Sequence, residues 1–359
     1  MLYSTCNNSP AIAPFPAVVA VRRGPTWPRV AAMRVTLKIS VVLWAIALVT
    51  ASGYVLSRLL VFKQIFFQHA GIPVTQQQAA DEYENGGDKR IQHIPKIVHQ
   101  VFHNWKDPGN DTLPADWVAV RQNCMDLNPS FEFKLWTEEA SRDFIEKEYA
   151  WFLRTYDGYR HKVQRVDAVR YFLLLHYGGI YMDLDNGCKR DLTPTLYYPT
   201  WITEPGRGAL SNNILASRPN HPFWARLTHS LMPYDWNWFF PYVTISYASG
   251  QWFVTAIWQE YHRLLPKPSD NPKLEHRLHL LMMDDRPGAH PSIFFTQERG
   301  GTWINWDNLL FLWIGDHLFL FLLMLFGGIG FVFCAGSRLL RKHRNGYVRL
   351  KNVKGRSVA

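Results

Sequence analysis

Two uncharged apolar runs bracket this chain and limit how the rest can fold. "ISVVLWAIALVTASGYVLS" (Ile39 to Ser57) holds 19 residues between Lys38 and Arg58. "LFLFLLMLFGGIGFVFCAGS" (Leu318 to Ser337) holds 20 between His317 and Arg338. A helix of ~20 apolar residues spans a hydrocarbon layer of ~30 Å, so each run has the length of a transmembrane helix. A buried core helix has the same composition, and a signal peptide is an alternative for the first run, although its apolar stretch starts late.

Charge supports the membrane reading. The net charge is +10, yet residues 1–80 carry seven Lys/Arg and no Asp/Glu, and residues 338–359 carry eight and none. The remainder holds 24 basic and 29 acidic side chains and is mildly acidic. A nucleic-acid partner is therefore not expected, because the basic character belongs to the ends that flank the apolar runs. The positive-inside rule puts both termini in the cytosol and the central region in a lumen. "NDT" at Asn110 is a glycosylation pattern compatible with that side. An oxidising lumen would permit a Cys124–Cys188 disulfide; two separate buried thiols fit the sequence equally well. Residues 1–32 show no period and are expected to be disordered, or to precede a natural start at Met33.

The expected organisation is a cytosolic tail over 1–38, a span over 39–57, a polar Gln-rich stalk over 58–90 and a folded domain over 91–307. A juxtamembrane segment over 308–317, a second span over 318–337 and a basic tail over 338–359 complete it. Within the domain, "IPKIVHQVF" reads as a strand. Trp117 to Leu127 has helical spacing with Asp116 placed to cap it. "FEFKLW" reads as a second strand, and Thr137 with Glu138 and Glu139 opens another helix. Val163, Val166, Val169, Phe172 and Leu173 form an apolar face at 3.6-residue spacing. Gly178 and Gly179 stop that helix, and "IYMDLD" follows as a short strand. Strands alternating with helices imply an open α/β sheet, in which ligands bind beyond the carboxyl ends of the strands.

Asp183 and Asp185 stand at such an end. Acids one residue apart can reach one hard divalent cation, and their mutual repulsion favours one. A lone DxD is weak evidence, because any exposed turn can carry it. Asp167 and Arg170 lie three apart on the preceding helix, in reach of one another, either as a solvated ion pair or as a pair facing a ligand.

The blocks "IPKIVHQVF", "LNPSFEFKLWT" and "RVDAVRYFLLLHYGGIYMDLDNGCKRDL" resemble the DxD sugar-transferase family that includes fungal Golgi mannosyltransferases. The resemblance covers roughly residues 91–337. It implies an α/β, GT-A-like open-sheet domain between two transmembrane helices, in a Golgi membrane with the catalytic domain lumenal. It implies GDP-mannose as donor, Mn²⁺ or Mg²⁺ on its diphosphate, retention at the anomeric carbon, inositol phosphorylceramide as acceptor and a regulatory subunit. Carried over by position, Asp185 contacts the metal, and Asp183 reaches the ribose or the metal through water. Asp167 and Arg170 contact the donor sugar and its phosphates, and His99 and Phe102 lie near the base. Asn212 and Asn213, the latter where relatives show an aspartate, would contact sugar hydroxyls, and Trp303 belongs to the acceptor side. The family's late Ser-Trp-His-like element corresponds to "GGTWINWD", with Ile304 in the place of histidine, which leaves Asn305 or Asp307 to serve. Arg207, Arg218 and Lys189 are candidates for meeting a phosphoinositol.

Three rivals share parts of this pattern. A protein-glycan mannosyltransferase would use the same block. A haloacid-dehalogenase-type phosphohydrolase would use Asp183 as nucleophile, with "LHLLMMDD" (Asp284, Asp285) as its second acidic strand end. A membrane protein that kept the fold and lost the chemistry would explain Ile304.

Overall fold

The computed structural model describes residues 39, 42–43, 45–54, 56–57, 60, 63, 65–66, 69–86, 90–206, 208–265, 276–283, 292–297, 306–328, 330–331, 334–336 and 338. Both terminal tails and Asp284, Asp285, Trp303, Ile304 and Asn305 therefore lie outside the described residues. The chain divides into two units, Met1–Leu60 and Val61–Ala359. In the first, the described residues from 39 to 60 are helical and include the apolar helix Ala45–Tyr54.

The second unit is built on a seven-stranded sheet. Its strands are β1 (Ile72–Thr75), β2 (Ile97–Val101), β3 (Glu132–Trp136), β4 (Gly179–Met182), β6 (Thr200–Glu204), β7 (Ser211–Ser217) and β8 (His279–Met282), in the order β1-β8-β6-β7-β4-β2-β3. All neighbours are parallel except β7, which runs antiparallel to both β6 and β4. A two-stranded ribbon pairs β5 (Asn186–Cys188) with β9 (Phe295–Gln297).

The helices are α1 (Gln76–Gly86), α2 (Ala115–Leu127), α3 (Glu138–Glu148), α4 (Ala150–Gly158), α5 (Lys162–His176), α6 (Pro222–Tyr234), α7 (Pro241–Ala248), α8 (Gln251–Leu264) and α9 (Trp306–Asp316). Alternation along each strand feeds two apolar layers. Tyr181, Ile202 and Leu215 join one with Phe152, Phe172, Trp224 and Trp258, while Ile180, Met182, Trp201 and Ile214 join the other with Ala79 and Phe294. A sheet buried on both faces explains why β4 reads as an unbroken apolar run.

Several sequence expectations are corrected. The segment placed in a stalk contains β1 and α1, and β1 is the sheet edge beside β8. Its Gln-rich composition suggests solvent, but Gln76 is fully buried. Gln76 Oε1 accepts from the backbone nitrogens of Ile293 (2.9 Å) and Phe294 (2.8 Å). A glutamine with its polar atoms satisfied can be a core residue. Asp116 does not cap α2, whose N-cap is Pro114; it lies in the first turn. Thr137 does cap α3, its side chain accepting from Ala140 N at 3.2 Å.

Cys124 and Cys188 form a disulfide that ties α2 to β5. Among the described residues no single helix is long and apolar enough to cross a membrane. α9 and the helix Leu318–Gly328 meet that length and composition together, with a 97° bend between them.

Candidate active site

The site is set by the join between α5 and β4. α5 is buried from Val163 to Leu174 except at Arg165, so its polar residues face protein rather than water. Gly178 and Gly179, at φ +67° and +92°, turn the chain directly into β4. A Cβ on Gly179 would stand 2.6 Å from Ile97 O, so only glycine lets β4 approach β2 this closely. β4 ends at Met182, and Asp183 N donates to Asn213 O at 2.9 Å, which fixes the acid loop against the start of β7. Because β7 is antiparallel, its N-terminal residues reach the same sheet edge as the carboxyl ends of β2 and β4.

Arg170 is the hub. Its Nη2 lies 3.1 Å from Asp167 Oδ1, and its Nη1 lies 3.3 Å from Asp183 Oδ1 and donates to Asn212 O at 2.6 Å. The Tyr181 ring stacks under the guanidinium at 4.6 Å, and its hydroxyl donates to Asp183 Oδ1 at 2.5 Å. Asn212 Nδ2 donates to Asp167 Oδ1 at 3.0 Å, and Ser249 Oγ donates to Asp167 Oδ2 at 3.0 Å. Asp185 is half-buried, and the only side-chain bond given to it among the described residues is donation from Asn186 Nδ2 to its Oδ1 at 3.0 Å.

Electrostatics follow from this packing. Burial, then the neighbouring Asp183, pushes the Asp185 carboxyl up to about 6. Burial pushes Asp167 up, against the pull of Arg170 and the bonds from Ser249 and Asn212. Burial would lower Arg170, but Asp183, Tyr181 and Asp167 outweigh it, so the guanidinium stays charged. Three carboxylates against one guanidinium leave an excess of negative charge that a dication would neutralise. The donor set fits a small hard cation: two oxygen side chains open to a cavity, with further positions left to water and phosphate oxygens. Among the described residues no group of three or more His, Cys, Asp or Glu could hold a metal by itself. Mg²⁺-like ions are commonly held by one or two carboxylates plus substrate phosphates.

These groups border a cavity of about 560 Å³. Asp167, Arg170, Asp183, Asp185, Asn212 and Asn213 all line it. Phe102 lines it too, edge-on to Trp117 at 6.0 Å, so two aromatic rings form one wall. His99 does not reach it. That ring is fully buried, its Nε2 donates to Gly178 O at 3.0 Å and its Nδ1 accepts from Trp136 Nε1 at 3.1 Å. Burial lowers its pKa to about 4, and with both nitrogens engaged it supports the glycine turn rather than a ligand. Lys189 donates to Ser292 O at 2.9 Å, and neither it nor Arg218 lines the cavity. Arg207 and Trp303 lie outside the described residues. Asp307 is buried, with Oδ2 accepting from Tyr242 N at 2.6 Å.

Sequence reasoning missed Tyr181, Ser249, Lys106 and Gln251. Tyr181 alone carried a signal, being two residues before Asp183 and so on the same face of the strand. The others come from segments whose convergence depends on the fold.

Residues 114–205 match the family described as glycosyltransferase sugar-binding region containing DXD motif. The inositol phosphoceramide mannosyltransferase 2 of Schizosaccharomyces pombe is 38% identical over 63% of this chain and 62% of its own length. The mannosyl phosphorylinositol ceramide synthase CSH1 of Saccharomyces cerevisiae is 38% identical over 63% of this chain and 57% of its own. The chain thus spans about three fifths of these curated relatives. Among solved structures, the PaToxG glycosyltransferase superposes with a TM-score of 0.37 at 16% identity, over 51% of this chain and 77% of that one.

Proposed function

We propose that this chain, whose residues 114–205 match the DXD-containing glycosyltransferase region, transfers mannose from GDP-mannose to inositol phosphorylceramide, with a divalent cation. The observation that carries the reading is the Asp183–Asp185 pair, joined through Arg170 to Asp167 at one end of an aromatic-walled cavity. The relatives named for mannose transfer to inositol phosphoceramide supply the substrate class.

In this proposal one ring of the perpendicular Phe102–Trp117 pair stacks on the base and the other borders its edge. Asp185, with Asp183, would hold the cation, which when bound would supply positive charge for the departing diphosphate. Arg170 keeps Asp183 oriented and adds a fixed positive charge beside the growing negative charge of the leaving group. Asp167 and Asn212 hold the sugar through its hydroxyls and fix its orientation. The α7–α8 side of the cavity, with Tyr242, Ser246 and Gln251, receives the acceptor. We place the enzyme in a Golgi membrane with both termini cytosolic and the cavity lumenal, on the charge asymmetry about the apolar runs and the oxidised Cys124–Cys188 pair. Retention of configuration and a regulatory subunit belong to the same reading.

The decisive experiment incubates the full chain with labelled GDP-mannose and inositol phosphorylceramide, with and without Mn²⁺. Cation-dependent labelling of the lipid, lost in Asp185→Ala, is expected. Labelling of protein glycans instead would favour the protein-glycan alternative. The phosphohydrolase reading is disfavoured by topology. β8, which precedes Asp284 and Asp285, is three strands from β4, or ~14 Å at normal strand spacing.

A further inference from the structure

Exposed aromatic side chains from two distant segments meet beside the cavity. Trp236, Trp238 and Phe239 in the α6–α7 loop are exposed, Phe239 to 84%. Trp306, Leu309, Leu312 and Trp313 are exposed along α9. Phe240 joins the two, its ring 5.6 Å from Trp306 and 5.7 Å from Phe311. The loop is held by its own bonds: Thr244 Oγ1 accepts from Trp238 N at 2.9 Å, and Trp236 Nε1 donates to Pro233 O at 3.0 Å. Buried Asp307 fastens α9 to the start of α7 through Tyr242 N. This is a built surface rather than scattered apolar residues, and contiguous apolar patches on folded chains mark interaction sites.

We propose that this surface seats in the headgroup layer of a phospholipid bilayer and so presents the cavity to lipid lying in the membrane. The inference rests on the membrane-bound reading above, though not on its reaction. Three observations favour a bilayer over a protein partner. Tryptophan, which dominates the patch, has an apolar body and a polar N–H that suit the membrane–water boundary. α9 carries no Lys or Arg, and of its two acids Asp307 is turned inward and Asp316 stands at the last position before the bend. The helix Leu318–Gly328 leaves α9 at 97°, and Leu318, Phe319, Leu323, Met324 and Phe326 are all exposed on it. A helix apolar all round needs cover. If it enters the hydrocarbon along the bilayer normal, the bend lays α9 flat along the membrane surface, as interfacial helices lie. Asn308, on the same helix, lines the cavity. One helix therefore meets lipid on one side and the site on the other.

The test uses the full chain with Cys6→Ser and Cys334→Ser, in nanodiscs of phosphatidylcholine and phosphatidylinositol. A spin label is placed at Phe239→Cys, Leu312→Cys or, as a control at the exposed end of α3, Glu148→Cys. Collisions with oxygen, which concentrates in lipid, are compared with collisions with a water-soluble nickel chelate. Oxygen is expected to dominate at 239 and 312, and nickel at 148. Nickel dominance at 239 and 312 would overturn the proposal. So would low accessibility to both reagents, which would mean that a protein partner or a second copy covers the patch. A lipid-like result without mannosyl transfer would sink the assigned reaction and leave this surface standing.

Discussion

Arg170 Nη1 lies 3.3 Å from Asp183 Oδ1, so the buried helix before the glycine turn and the acid loop after it are held as one electrostatic unit. Asp167 completes the unit from the helix side at 3.1 Å. The acids are thus mounted on the core, and changes to core residues should register in catalysis.

Asp185→Asn should abolish transfer and leave the fold intact, because the described bonds of this side chain involve only its neighbour. Its carboxyl titrates near 6, above the ordinary 3.8. The stability share of such a group is full below pH ~4 and is lost as pH rises through ~6. The cation-free protein should therefore melt progressively lower across that window, and Asp185→Asn should flatten the slope. Thermal melts in a pH series check this.

Added Mn²⁺ or Mg²⁺ should raise the melting temperature more at about pH 7.5 than at about pH 5, since the ion must displace the Asp185 proton in acid. Asp185→Asn should remove most of the rise at both. Calorimetry of the ligand-free protein makes this readout independent of turnover.

Arg170→Met should destabilise by ~3–5 kcal/mol, the usual cost of leaving a buried charge uncompensated. Adding Asp167→Asn should recover part of the loss, because the stranded carboxylate is then neutral. Denaturation midpoints of the two variants in detergent separate this from loss of activity alone.

Gly179→Ala should cost at least ~1–2 kcal/mol for its left-handed backbone. The Cβ contact 2.6 Å from Ile97 O adds to that cost. Folded yield should fall and the remaining protein should turn over slowly, since the displaced residue begins β4. Yield and specific activity measured together test both halves.

Reduction, or Cys188→Ser, should lower stability by about 4 kcal/mol on the chain-entropy estimate for a separation of 64 residues. Melts with and without a thiol reductant, compared with the variant, isolate the bridge.

The helix–turn–acid part of the candidate site was legible because its signals are local. Helix periodicity placed Val163 to Leu173, the double glycine marked the turn, and Asp183 and Asp185 followed within a few residues. The α7–α8 side was not, since Ser249 and Gln251 reach the cavity only after α7 and α8 pack against α5. β1 escaped for another reason: four residues including a proline, followed by three glutamines, look solvated until Gln76 is seen bonding inside the fold. His99 misled in the opposite direction. A histidine near a strand end resembles a ligand-binding group, yet its ring fills the space behind the glycine turn. The bend at His317 has no counterpart in hydropathy, which registers apolar length and not direction.

Cys188 stands just past Asp185 and is moored to a helix that ends before β3 begins. The acid loop therefore gains its last tether only where thiols are oxidised. A chain still in reducing surroundings would carry an assembled sheet with a slacker acid loop. The proposed transfer would then inherit a dependence on the redox poise of its compartment that no residue lining the cavity supplies.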